Sequence, residues 1–68
     1  MNTIKIKAKS AFAVENMLRQ LAQARSNGDK IQVAKVDHVK NLVTVEADEN
    51  AEAWIRSFYK TERYRVVD

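Results

Sequence analysis

Hydrophobic and polar positions alternate strictly near the start of the chain. Ile4, Ile6 and Ala8 share one parity, and Lys5, Lys7 and Lys9 share the other. A period of two puts such residues on opposite faces of an extended backbone, so Thr3 to Lys9 reads as a half-buried strand. Ser10 stands where a helix N-cap belongs, and from there the period changes. Val14, Met17, Leu18 and Leu21 recur at helical spacing, which predicts an amphipathic helix over about Ala11 to Arg25. The stretch SNGD ends it, because Gly28, the only glycine, can take the left-handed conformation just past the last turn.

The same succession of periods then returns. Lys30 to Asp37 reads as a strand whose parity slips, with Ile31 and Val33 on one side and Ala34 and Val36 on the other. A bulge near Val33 reconciles them. DHVKN supplies a hairpin connection, and Leu42 to Ala47 forms a third strand with Val43, Val45 and Ala47 inward. ADENAEAW opens a second helix, capped by Asp48 or Asn50, with Glu49 and Glu52 suited to the positive end of its dipole. Trp54, Ile55 and Phe58 are its expected apolar stripe. The closing RYRVVD alternates again, with Tyr64 and Val66 inward and Arg63, Arg65 and Val67 outward.

The element order is therefore β-α-β-β-α-β. Right-handed crossovers turn that order into a four-stranded antiparallel sheet, in spatial order 4-1-3-2, with both helices on one face. This is the ferredoxin-like α+β architecture, expected as a single domain over residues 1–68.

Composition narrows the chemistry. A chain of 68 residues has no room for a second core, and with no cysteine it has no disulfide, thiolate metal site or cysteine nucleophile. The absence of cysteine, and an N-terminus that alternates instead of forming a leader, suit a cytoplasmic protein. No apolar run is long enough to span a bilayer, so no membrane role is expected. A formal net charge of +3 with 46% hydrophobic residues describes a globular chain that tolerates anionic partners.

Val36-Asp37, Val43-Thr44-Val45, the acidic helix start Asp48 to Ala53, and Tyr64 ahead of the last strand form a recognisable set. In this half the chain resembles heavy-metal-associated domains, the small copper and zinc carriers. The resemblance implies the ferredoxin-like fold. The family's metal site is a Cys-x-x-Cys loop after the first strand, whereas the corresponding KSAFAV here has neither cysteine nor histidine. Soft thiolates are what hold those ions, so metal carriage does not transfer and no cofactor is expected.

Other candidate chemistry is thin. His38 follows Asp37 directly, and neighbours on a strand point to opposite faces, so they do not form a base and its orienting partner. Asp48, Glu49 and Glu52 read as dipole-complementing residues, and Ser10 as a cap. An enzyme is not expected. Arg19, Arg56 and Lys60 read as solvated charge on the helices.

The alternating lysines remain. In the 4-1-3-2 order the first and last strands are neighbours, so Lys5, Lys7 and Lys9 lie beside Arg63 and Arg65 on the helix-free face. Leu42 and Thr44, with Glu46, flank them on the third strand. Like charges across a ladder are destabilising, a cost that an anionic partner would relieve. A soluble face that discourages edge pairing is the plain alternative. If the face binds, three readings stand. It takes an acidic protein or nucleoprotein, as an adaptor or inhibitor of the kind phages and mobile elements carry. It takes DNA or RNA through phosphates, without the aromatics that read bases. Or the chain self-associates as a homodimer, through this face or through the second-strand edge.

Overall fold

The computed structural model describes all of residues 1–68. The elements are β1 (Asn2–Ala8), α1 (Ala11–Ser26), β2 (Ile31–Asp37), β3 (Leu42–Ala47), α2 (Glu49–Phe58) and β4 (Tyr64–Val66). All strand pairings are antiparallel and the sheet order is β2-β3-β1-β4, the ferredoxin-like arrangement that the periods predict.

Local chemistry sets the helix limits. The Ser10 hydroxyl accepts from the Ala13 amide at 3.1 Å and starts α1, and the Asp48 carboxylate accepts from the Ala51 amide at 2.9 Å and starts α2. Gly28, at φ 105°, closes α1 in a Schellman arrangement: its amide donates to the Arg25 carbonyl and the Asp29 amide to the Ala24 carbonyl. The β2–β3 hairpin is shaped by Asp37, whose carboxylate accepts from the Val39 and Lys40 amides at 3.0 and 3.1 Å. Asn41 completes this turn at φ 54°, a left-handed conformation that asparagine tolerates better than most residues.

The core lies between the sheet and the helices. Ile4, Ile6 and Ala8 of β1 and Val43, Val45 and Ala47 of β3 are buried against Val14, Met17 and Leu21 of α1 and Ile55 of α2. The expected bulge is present: the β2–β3 register shifts between Val33 and Lys35, leaving Ala34 without a partner.

Helix α2 departs from the expected stripe. Phe58 is 53% exposed and Trp54 half-buried, while Tyr59 is fully buried. The inward row is Ala51, Ile55 and Tyr59, at four-residue spacing, and Trp54 and Phe58 occupy the adjoining row. Alanine is too small to advertise that row in the sequence. Tyr59 donates its hydroxyl to Gln20 Oε1 at 2.9 Å and packs edge-to-face on Tyr64 with ring centroids 5.0 Å apart. Tyr64 in turn donates to the Ala13 carbonyl at 2.9 Å, tying β4 to the first turn of α1. Burial pushes the Tyr59 phenol well above its ordinary pKa.

Candidate basic interface

The helix-free face is built from the alternate residues of each strand, and its cross-strand rows follow from the register. Lys7 of β1 lies between Leu42 of β3 and Arg65 of β4. Lys5 pairs with Thr44, whose other neighbour is Lys35 of β2. Thr3 pairs with Glu46, and Glu46 with Gln32. With strands about 4.8 Å apart, Lys7 and Arg65 are directly opposed like charges.

Lys9 and Arg63 fall one residue outside β1 and β4, so both strands are shorter at this end than the alternation suggests. Pairing still carries on, since the Lys9 amide donates to the Arg63 carbonyl at 2.9 Å. At the other end the Val67 amide donates to the Lys5 carbonyl at 2.8 Å. The five expected cations are thus brought together. All five are exposed, and Leu42 and Thr44 beside them are half-buried.

Lys35 is a sixth cation, absent from the set that the alternation predicts. Its place depends on the bulge: Ala34 is skipped, so Lys35 returns to the parity of the open face instead of pointing to the helices. The parity slip is the signal in the sequence that bears on it. No cation of the face makes a contact ion pair, because both side-chain ion pairs in the molecule belong to Arg56. Glu46 lies in the outer row, and Asp37 is engaged by the hairpin amides, which hold its carboxyl below the usual range.

Arg56, expected as solvated charge, is a clasp. Its guanidinium donates to Glu52 Oε2 at 2.9 Å and to both Asp68 oxygens at 3.1 and 2.8 Å, fastening the segment after β4 to α2. The Arg56 hydrogen bonds, with Lys5 contributing least, hold the Asp68 carboxyl below its ordinary pKa. Asp68 is therefore already committed at the edge of the basic rows.

Phe12 is a second feature outside the predicted set. In the first turn of α1 it is 71% exposed, and with Lys9, Ser10, Ala13 and Arg63 it borders a shallow cleft of about 360 Å³. Its same-face helical neighbours, Glu15, Asn16 and Arg19, are polar, so Phe12 lies off the Val14, Met17, Leu18 and Leu21 stripe. An aromatic ring therefore adjoins the cationic corner, although none lies on the sheet face itself.

No group of three His, Asp or Glu side chains converges to hold a metal ion. His38 is exposed in the hairpin turn, and Asp48 and Glu52 are occupied by the α2 cap and by Asn2 and Arg56. No helix is long and apolar enough to cross a membrane. No family model, curated protein or solved structure matches the chain.

Proposed function

We propose that the chain is a non-enzymatic binding module that seats an acidic protein or nucleoprotein on its open sheet face, as an adaptor or inhibitor would. The observation that carries this reading is the set of six unpaired cations, Lys5, Lys7, Lys9, Lys35, Arg63 and Arg65, on the open face and its β1–α1 rim. Lys7 against Arg65 costs stability, and carboxylates or phosphates laid over the rows would relieve it. Leu42, Val67 and Phe12 interrupt the charge with apolar surface, which suits a mixed protein interface.

Electrostatic nucleic-acid binding is the second reading, and Phe12 is what favours it. A base stacked on that ring would leave its phosphates beside Lys9 and Arg63. In either reading the likeness to heavy-metal-associated domains is one of architecture. The loop that carries their ligands holds Lys9, Ser10 and Phe12 here.

Fluorescence anisotropy with labelled polyglutamate, and with single- and double-stranded oligonucleotides, tests both at low and near-physiological salt. Polyglutamate binding that Lys7→Glu abolishes supports the acidic-protein reading. Oligonucleotide binding with a steep salt slope, weakened by Phe12→Ala, supports the second. No binding of any probe at low salt would remove the face from consideration.

A further inference from the structure

The two edges of the sheet differ. The β4 edge has only three residues, Tyr64–Val66, with arginines at and beside it, and short charged edges resist pairing. The β2 edge runs for seven residues, Ile31–Asp37, with no proline, and its outer side meets no other strand. Beside it on the helix side lies a groove of about 500 Å³ lined by Leu18, Leu21, Ala22, Ile31 and Val33.

We propose that a second copy of this chain pairs with β2 antiparallel, joining two sheets into one of eight strands. The register follows from the bulge and the charges. Opposed residues of an antiparallel pair point to the same face, and the Val33–Lys35 shift makes Ile31, Val33 and Val36 core-side and Gln32, Lys35 and Asp37 open-face. Lys30 continues the open-face parity, its carbonyl accepting from the Asp48 amide at 3.2 Å.

Self-pairing centred between Val33 and Ala34 sets Lys30 opposite Asp37 of the second copy, Ile31 opposite Val36 and Gln32 opposite Lys35. Faces match in every row outside the bulge, and the only charged residues opposed carry opposite signs, once at each end of the dyad. Sliding by one residue in either direction sets core-side residues against open-face ones. Sliding by two opposes Lys30 to Lys35 one way and runs Ile31 into the hairpin turn the other way. The unbulged alternation would forbid the favoured register, so the bulge here selects an edge partner. Ala34, small and exposed, sits at the dyad.

This interface shares only Lys35, at the β2 edge, with the basic face and leaves Lys5, Lys7, Lys9, Arg63 and Arg65 open. The two β1 strands end five strand spacings apart, roughly 24 Å, with their lysines on one side of the joined sheet. It also enlarges a core that, in one copy, comprises 15 buried residues.

Sedimentation velocity from about 5 to 500 μM is the test, a span that brackets the micromolar affinities of small interfaces. Wild type is expected to dimerise. Lys30→Asp, which creates two like-charge pairs per dimer, should weaken it roughly tenfold. The chain has no cysteine, so Ala34→Cys adds one thiol, which should form a disulfide-linked dimer under mild oxidation, whereas Lys60→Cys should not. A wild-type monomer throughout the range overturns the proposal, as does a dimer indifferent to Lys30→Asp. If Lys30→Asp fails to fold, Ala34→Cys decides alone, and no cross-link overturns the proposal.

Discussion

The two faces of the central strands are made of residues one position apart, yet they answer to different constraints. On β1, Ile4 and Ile6 are wholly buried while Lys5 and Lys7 between and beside them are exposed. The covered face is constrained by packing, where a lost methylene leaves a cavity. The open face is constrained by solvation alone, so an arrangement that costs stability there, such as Lys7 opposed to Arg65, is free to answer to something else. That contrast is why the cations, and not the core, carry the functional proposal.

The division between buried and open rows is most exposed to failure at α2. Tyr59→Ala should cost about 3–5 kcal/mol, as for other large buried aromatics. Phe58→Ala, truncating a half-exposed ring in the next row, should cost under about 1 kcal/mol. Urea denaturation of the two variants side by side reads this directly, and equal losses would show that the inward row is misassigned.

Within β1, Ile6→Ala should lose about 2–5 kcal/mol, whereas Lys7→Ala should stay within about 0.5 kcal/mol of wild type. Comparable losses at both positions would end the division into two faces.

Lys7→Glu sharpens the contrast further, because stability and binding should move in opposite directions. Replacing a like-charge pair with Arg65 by an attractive one should stabilise the fold by about 0.2–1 kcal/mol, while binding of the acidic probe falls. A variant that bound as well as wild type would remove Lys7 from the site whatever its stability.

The smallest effect is at the C-terminal clasp. Asp68 is held below its ordinary pKa of 3.8 by Arg56, so it binds its proton less readily folded than unfolded. Its contribution is full above the ordinary value and is lost as pH falls through the lower folded value. Thermal melts below pH 4 should therefore be less steeply pH-dependent in Asp68→Asn than in wild type, and identical acid profiles would mean the clasp contributes nothing.

Much of the fold is legible in the amino-acid sequence alone. The alternation of Ile4 to Lys9 specifies both faces of β1, Ser10 and Asp48 mark the helix starts, and Gly28 marks the end of α1, because each signal is local. The order of elements, with right-handed crossovers, then implies the sheet order. Lys5, Lys7, Lys9, Arg63 and Arg65 can be grouped for the same reason, since neighbouring strands bring residues of like parity together.

Tertiary structure decided the rest. Lys35 joins the face only because β3 fixes where the β2 bulge falls. Tyr59 is chosen over Phe58 by Gln20, distant in the chain, which receives its hydroxyl, and by Tyr64 of β4, on which its ring packs. Phe12 lies off the helical stripe already, and only the fold brings it beside Lys9 and Arg63; Arg56 becomes a clasp only when β4 delivers Asp68 to it. A period along the chain reports which way a side chain points. Which group meets it is set by the packing of elements far apart in sequence, and no local pattern records that.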